Sequence, residues 1–251
     1  MVGAVHRTAR GRLRAIAPTR ETLFSSLMVF HDIDSRSAAL NMAIDEALLE
    51  SASEPTIRFY RWNHPALSFG YFGRFAEVAK EKKRRDIVRR WTGGGIVFHG
   101  DDLTYAIVIP ASDPAFAESS MSIYQKVHSA IRDTLTANGE TVAALYERHS
   151  EKIPAVRDRR YKRDACFANP AKADVMVAGQ KIAGAAQRRT QCGLLQQGSI
   201  QGVDLPDGFA RNFATKLSKQ TKEKTFEGRI LERAREIAEQ KYASTAWLGK
   251  R

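Results

Sequence analysis

The chain has 251 residues, enough for one large domain with a sizeable core, and its hydrophobic fraction of 43% excludes a wholly disordered protein. Forty basic against 28 acidic residues give a formal charge of +12, which favours an acidic protein, a nucleic acid or an anionic membrane surface as partner. No run of about 18 apolar residues predicts a membrane span, and two cysteines are too few for a disulfide framework. We therefore expect a cytoplasmic protein without a membrane segment.

The first 20 residues contain five arginines and no acidic residue. That composition suits an organelle transit peptide or a flexible basic arm, and the arm is the simpler interpretation. The predicted organisation is a basic arm over residues 1–25 and a single domain over residues 26–251 that ends in helices.

A short strand at residues 28–30 is followed by a predicted helix over residues 38–51. Its apolar residues at helical spacing are Leu40, Ile44, Ala47 and Leu48. Asn41, Asp45 and Glu46 fall on or beside the opposite face, where they contact either solvent or a site. We expect Glu46 to face solvent.

Residues 56–62 and 66–70 alternate and are rich in aromatic residues, which predicts two strands that form a hairpin. A charged helix is predicted over residues 75–85, and residues 87–90 lead as a strand into a glycine run.

That run, at residues 89–100, reads Arg-Arg-Trp-Thr-Gly-Gly-Gly-Ile-Val-Phe-His-Gly. Consecutive glycines favour a sharp turn or a close approach of the backbone to a ligand. With Arg89 and Arg90 beside them, free backbone N–H groups would suit a carboxylate or a phosphate ester. The alternative is a hairpin turn without a ligand.

Residues 103–110 form the clearest predicted strand, and residues 121–138 form an amphipathic helix that stops at Asn138-Gly139. Residues 148–163 are basic and lack apolar periodicity, which indicates an exposed loop. Two short strands about Gly179, a strand at residues 194–200 and helices from about residue 207 complete the pattern. We predict an α+β domain built on a largely antiparallel or mixed sheet.

Three side chains could take part in chemistry. Lys181 lies among small and apolar residues, where an ammonium either reaches solvent or meets an anion that it could stabilise. Cys166 follows the basic loop, and nearby cations favour its thiolate, although a lone cysteine is more often inert. His99 is either a donor to substrate or a core histidine with satisfied hydrogen bonds. No histidine spacing suggests a metal.

Four segments together resemble the biotin/lipoate protein ligase and lipoyl/octanoyl transferase family. The glycine run resembles the family's Arg-Arg-x-Ser/Thr-Gly-Gly-Gly/Arg-x-Val-x-His motif, and residues 179–187 resemble Gly-x-Lys-Ile-x-Gly-Ser/Ala-Ala-Gln. Residues 41–46 and 197–200 are also similar to family landmarks. The four lie in the family's order within residues 28–205.

The resemblance implies a catalytic domain in which the glycine turn and Lys181 enclose an octanoyl or lipoyl chain. The implied reaction is acyl transfer to a lysine of an acidic lipoyl-carrier protein, such as glycine cleavage H protein or a dehydrogenase lipoyl domain. Acyl carrier protein is a candidate donor. The residues expected to bind the substrate are Arg90, Thr92, Gly93, Gly94, Gly95, His99, Gly184 and Ala185.

Two chemistries compete within this family. The segment Cys166-Phe167-Ala168-x-Pro170 is similar to the cysteine-dependent, LipM-like octanoyltransferase branch, which implies Cys166 as acyl-accepting nucleophile and no cofactor. Gly95 instead matches the ligases, which use ATP and Mg to form a lipoyl adenylate. A cysteine-dependent transferase is our prediction, and an ATP-dependent lipoate-protein ligase is the alternative.

A non-catalytic basic binding module, such as a nucleic-acid binder, is the remaining alternative. Basic residues are scattered over loops and helix ends rather than interleaved with exposed aromatic residues, so nucleic acid is not the expected partner.

Overall fold

The computed structural model describes residues 22–32, 34–136, 173–177 and 180–250. Two sheets and a set of helices make up this part of the chain, which confirms the predicted α+β class. No helix within it is both long and apolar enough to cross a bilayer.

The large sheet has seven strands: β1 (Leu27–His31), β2 (Thr56–Tyr60), β6 (Leu103–Pro110), β7 (Val175–Val177), β8 (Gln180–Arg189), β9 (Gly193–Ile200) and β10 (Thr221–Lys224). Their order across the sheet is β10-β1-β2-β6-β9-β8-β7. The pairs β1–β10 and β1–β2 are parallel and the other pairs are antiparallel, so the sheet is mixed.

A small sheet of three strands lies beside it: β3 (Ala66–Phe69), β4 (Asp86–Arg89) and β5 (Val97–His99). β3 is central, parallel to β4 and antiparallel to β5. β4 and β5 are the two edge strands and do not pair, so the glycine run that joins them is not a hairpin turn. Ligand binding by this turn stays a prediction.

The predicted pairing of residues 56–62 with residues 66–70 is also wrong, because β2 lies between β1 and β6 in the large sheet. All five residues of β2 are buried, as expected of a central strand that needs a partner on each side. An alternating pattern identifies a strand but does not identify its neighbours.

The helices are α1 (Ala38–Ser51), α2 (Phe75–Val78), α3 (Ser120–Thr136), α4 (Phe209–Leu217), α5 (Gly228–Ile237) and α6 (Thr245–Leu248). The 3-10 segments Ala79–Lys83 and Pro114–Ala117 and the π-helical turn Ala238–Tyr242 accompany them. The helix predicted over residues 75–85 is thus one α-helical turn followed by a 3-10 turn. Val78 is its only buried residue, and such limited packing does not sustain a longer α-helix.

The large sheet is covered on both faces by helices. Successive strand residues alternate between the two layers: Ile57 and Ile107 pack with α3 and α4, whereas Ala106 and Val108 pack with α1 and α5. A sheet buried on both faces can position side chains from its strand ends with little freedom of movement.

α1 is buried on nearly all sides, because α5 and the Ala238–Tyr242 turn cover the side away from the sheet. Glu46 is only 8% exposed and accepts hydrogen bonds from Lys241 Nζ and Tyr242 Oη, each at 2.6 Å. The expectation that Glu46 faces solvent is wrong. Periodicity within one helix cannot show that a second helix covers it.

The predicted basic arm over residues 1–25 overlaps the described residues only at residues 22–25, and its boundary with the domain stays a prediction. Phe24 is 2% exposed in the core, and its N–H donates to Leu217 O at 3.0 Å. The end of the range predicted as an arm is therefore packed, while residues 1–21 lie outside the described residues. The basic loop at residues 148–163, the Asn138-Gly139 stop and Gly179 also lie outside them.

Candidate active site

A cleft opens between the two sheets and encloses about 380 Å³ when its mouth is included. That volume includes open solvent, and the space open to the centre of a water molecule is about 30 Å³. Its apolar wall is formed by Met42, Trp62, Val97, Ala185 and Ala186. An extended alkyl chain suits such a wall, since burial of apolar surface stabilises a bound chain by roughly 0.8 kcal/mol per methylene.

The glycine turn forms one side of the cleft and is held by Arg90. The Arg90 guanidinium donates to Gly95 O at 2.7 Å and to Gly93 O at 3.1 Å, and also to Ser68 Oγ at 2.6 Å. Gly94 has a φ of +88°, in the region that favours glycine. The run thus folds into a defined turn whose backbone is fixed by the neighbouring arginine.

A buried chain of hydrogen bonds ties this turn to α1. Thr92 Oγ1 donates to Gln197 Oε1 at 2.8 Å, and Gln197 Nε2 donates to Asp45 Oδ2 at 2.8 Å. Asp45 in turn pairs with Arg58 Nη1 at 2.8 Å, and both side chains are fully buried. Burial raises the pKa of Asp45 above its ordinary value, against the opposing effect of Arg58 and of hydrogen bonds from Gln197 and Tyr60. These hydrogen bonds join the family landmarks at residues 41–46 and 197–200.

Lys181 is buried and has an anionic partner from its own chain. Its Nζ lies 2.8 Å from Asp174 Oδ2, with the two side chains 2% and 0% exposed. Of the two possibilities drawn from the sequence, Lys181 meets an anion and does not reach solvent. Asp174 offsets the cost of burying the charge of the Lys181 ammonium.

Gly184, which lines the cleft, provides the space for the Lys181 side chain. A β-carbon at position 184 would lie 2.3 Å from Lys181 Cε and 2.6 Å from Nζ. Any side chain there would therefore displace the ammonium. Among the small residues that follow Lys181 in sequence, Gly184 leaves the space in which the lysine side chain lies.

Tyr124 and the backbone of β8 hold Asp174 in place. The Tyr124 hydroxyl donates to Asp174 Oδ1 and accepts from the Ala185 N–H at 3.3 Å. Burial, and then the bond to Asp174, raise the pKa of Tyr124 above its ordinary value, so it remains a donor. The Asp174 carboxylate is therefore shared between the phenol and the ammonium of Lys181.

His99 has both ring nitrogens engaged. Nε2 lies 2.7 Å from Ser68 Oγ and Nδ1 lies 2.8 Å from Asp102 Oδ2, while Trp62 stacks on the ring at 4.0 Å. Because the Asp102 carboxylate only accepts, the ring proton is assigned to Nδ1, and Nε2 of the neutral ring accepts from Ser68 Oγ, whose oxygen accepts from Arg90. Burial lowers the pKa of His99, against the opposing effect of Asp102, and favours the neutral ring.

Ser68, His99 and Asp102 share the connectivity of a Ser-His-Asp triad, but Ser68 is 0% exposed and its oxygen accepts from Arg90. These contacts favour a supporting role, in which His99 and Ser68 orient Arg90 beneath the glycine turn. Of the two possibilities drawn from the sequence, the structure shows the histidine with satisfied hydrogen bonds. A direct contact between His99 and substrate stays a prediction.

The structure brings most predicted site residues to one cleft. Arg90, His99, Gly184 and Ala185 line it, while Thr92 and the three glycines form the adjoining turn. Cys166 lies outside the described residues. The roles of all these predicted site residues in substrate binding and catalysis stay predictions.

Sequence reasoning missed several residues that support this cleft: Ser68, Asp102, Tyr124, Asp174 and Gln197. Only Gln197 carried a signal, since it belongs to a family landmark. The others are polar residues within ordinary strand or helix patterns, and only the fold brings them to the site.

Among the described residues, no group of three His, Cys, Asp or Glu side chains could hold a metal ion. Cys192 is a free cysteine exposed in the turn between β8 and β9.

Known proteins resemble this chain in sequence and in fold. Residues 37–240 match the model of the lipoyl protein ligase A/B catalytic domain. The octanoyltransferase LipM of Staphylococcus epidermidis is 36% identical over 190 residues, which cover 72% of this chain and 68% of that protein. The chain spans 60–68% of the length of the first five LipM relatives it matches.

Two solved structures share the fold. A lipoate-protein ligase A bound with ATP has a TM-score of 0.65 at 21% identity, covering 90% of this chain and 98% of that one. A bipartite lipoate protein ligase from Thermoplasma acidophilum, described with its E2 lipoyl domain, has a TM-score of 0.65 at 19% identity, with coverage of 90% and 96%. By the match over residues 37–240 and by the LipM relative, this chain belongs to the lipoyl protein ligase A/B catalytic domain family.

Proposed function

We propose that this protein transfers an octanoyl group from a carrier thioester to the ε-amine of a lysine on a lipoyl-carrier domain. The observation that carries the proposal is the buried Lys181 ammonium, which packs against Gly184 of a cleft with an apolar wall. The LipM name of the relatives supports the octanoyl group and the transferase reaction.

In this proposal the acyl chain lies along the apolar wall and its carbonyl lies beside Lys181. A cation held there by Asp174 stabilises the negative charge that develops on the carbonyl oxygen. Because the ion pair is fixed before the substrate binds, little reorganisation is needed when that charge appears.

The proposed nucleophile is Cys166, as the resemblance implies. Its thiolate attacks the donor thioester, an acyl-cysteine thioester forms, and the donor thiolate leaves and takes up a proton. The amine of the acceptor lysine then attacks this thioester, an amide forms and the Cys166 thiolate leaves. The amine loses the proton that the donor thiol gains, so the exchange balances without ATP.

The ligase alternative is not favoured. The relatives that match over most of the chain are named octanoyltransferases, whereas the likeness to ligases, at 21% and 19% identity, concerns the fold alone. The proposed acceptors are acidic lipoyl-carrier domains such as glycine cleavage H protein or a dehydrogenase lipoyl domain, and the proposed donor is an acyl carrier protein.

Mass spectrometry of an acceptor domain tests both routes in one experiment. We expect octanoylation from octanoyl-carrier without ATP, its loss in Cys166→Ala, and its retention in the matched control Cys192→Ser, which replaces the exposed cysteine. Transfer by Cys166→Ala would refute the cysteine relay. Modification that occurs only with ATP and free lipoic or octanoic acid would refute the proposed transferase reaction.

A further inference from the structure

Phe72 is the most exposed large apolar side chain of the described residues, at 85%. It lies in the turn that joins β3 to α2, at residues 70–73. A single exposed aromatic residue is unremarkable by itself. What distinguishes Phe72 is how its turn is held and where the turn lies.

The turn is fixed by a buried arginine. Arg89 is 1% exposed, and its Nη1 donates to Tyr71 O and Gly73 O, each at 2.7 Å, on either side of Phe72. Its other N–H groups donate to Trp247 O at 2.9 Å, Leu248 O at 2.8 Å and Lys250 O at 2.6 Å. All of these partners are backbone carbonyls, so the guanidinium joins the turn rigidly to the C-terminal segment.

The same turn rests on the glycine turn of the cleft. The Tyr71 N–H donates to Thr92 O at 2.9 Å, and a β-carbon on Gly70 would lie 2.0 Å from Gly94 O. Gly94 in turn faces Ala186 of the cleft wall, since a β-carbon there would lie 3.3 Å from Ala186 Cβ. The turn that presents Phe72 to solvent therefore packs against the glycine turn, which adjoins the cleft wall.

Two cations flank Tyr71, the aromatic neighbour of Phe72. The Tyr71 ring packs edge-on against Phe72 at 5.0 Å, and it is flanked by the guanidinium of Arg188 at 4.9 Å and the ammonium of Lys250 at 5.1 Å. The Arg74 side chain is 80% exposed, although it pairs with Glu77. We call Tyr71, Phe72, Arg74, Arg188 and Lys250 the Phe72 patch.

An aromatic centre with arginine beside it is the composition of the residues that dominate binding energy in protein interfaces. Because the turn is fixed in advance, little conformational entropy is lost when a partner covers it. The cations around the centre favour an acidic partner and disfavour a basic one.

We propose that the Phe72 patch docks the acidic protein domain that carries the acceptor lysine. The proposal rests on the proposed function and names the surface of this chain that the partner contacts. A lysine has only a short four-carbon stem, so the acceptor domain must approach the cleft mouth itself. A donor thioester on a long flexible arm places no such demand on its carrier.

The test is Phe72→Ala, assayed with an octanoyl-carrier and an acidic lipoyl domain. We expect the KM for the acceptor domain to rise at least about tenfold, with kcat and the rate of thiol release from the donor unchanged. Met121→Ala is the matched control, since Met121 is 49% exposed and lies on α3, outside the patch. Thermal unfolding of both variants verifies that the fold is intact.

Charge is tested separately with Lys250→Glu, which leaves the backbone carbonyl bonded to Arg89 unchanged. We expect a higher KM for the acceptor domain and a weaker dependence of that KM on salt concentration. A free lysine derivative in place of the domain should be acylated equally by the wild type and Phe72→Ala.

An unchanged KM for the acceptor domain in Phe72→Ala would overturn the proposal. A Phe72→Ala variant that is slowed only in thiol release from the donor would also overturn it, because that result would assign the patch to the donor's carrier. Direct titration of the acceptor domain needs no turnover. A wild type that binds the domain through Phe72 but transfers nothing would refute the proposed function while supporting the docking surface.

Discussion

At the scale of single residues, the position of Lys181 depends on the absence of a side chain at Gly184. The ammonium is confined between Asp174 and the backbone of β8, and the 2.3 Å approach of Lys181 Cε to a β-carbon at position 184 leaves no room for a methyl group. Gly184 therefore determines where the charge of Lys181 lies.

Gly184→Ala should reduce octanoyl transfer by about 100-fold, because a displacement of roughly 1 Å at a catalytic group has an effect of that size. The initial rate of acceptor modification measures it. Gly228→Ala is the control, since a β-carbon at position 228 meets nothing within 4 Å. Full activity in Gly184→Ala would show that transfer does not depend on Lys181 at this position.

At the scale of elements, buried polar contacts fix the helices and turns around the sheet. Arg58 on β2 reaches Asp45 of α1 at 2.8 Å and Asp32, after β1, at 2.6 Å, and all three side chains are at most 2% exposed. From Asp45 the contacts continue through Gln197 to the glycine turn. The position of the turn thus depends on α1 as well as on the small sheet.

Asp45→Ala should lower the free energy of unfolding by about 3–5 kcal/mol, because it leaves part of a buried charge network without its partner. Glu50→Ala breaks the Glu50–Arg233 pair between α1 and α5, whose side chains are 40% and 46% exposed, and should cost less than about 1 kcal/mol. Urea denaturation measures both values. Equal losses would contradict the structural role assigned to the Asp45 network.

At the scale of the whole molecule, buried neutral histidines link stability to pH. His128 of α3 is 2% exposed, and its Nε2 has no hydrogen-bond partner among the described residues. Burial lowers its pKa to about 4, against the opposing effect of the Tyr124 carbonyl and Asp174. An unfolded chain, with a histidine pKa of about 6.5, therefore binds a proton at pH values where the folded protein does not.

Stability contributed by neutral His128 is fully present above about pH 6.5 and is lost as the pH falls toward about 4. Between about pH 7.5 and pH 5 the loss should be about 2 kcal/mol. His128→Leu should remove this part of the pH dependence, whereas His64→Gln, at an exposed site, should leave it unchanged. Urea denaturation at the two pH values measures it, and an equal slope in His128→Leu would contradict the assignment.

Local periodicity separates the elements that could be predicted from those that could not. The strands at residues 103–110 and 194–200, and the helices near residues 38–51 and 121–138, follow from local periodicity and were predicted within a few residues. β10 was missed because Thr221–Lys224 is polar and mostly exposed; it is an edge strand recognised only by its pairing with β1.

By itself, the sequence determined the glycine run, the Lys181 segment and the family, because each depends on residues that are adjacent or regularly spaced. The tertiary structure decided that Lys181 meets Asp174, that Glu46 is covered by the Ala238–Tyr242 turn, and that Arg89 holds the turn of Phe72. These contacts join segments far apart in the chain or in different elements. Which charge meets which partner is fixed by the path of the backbone, and local patterns do not record that path.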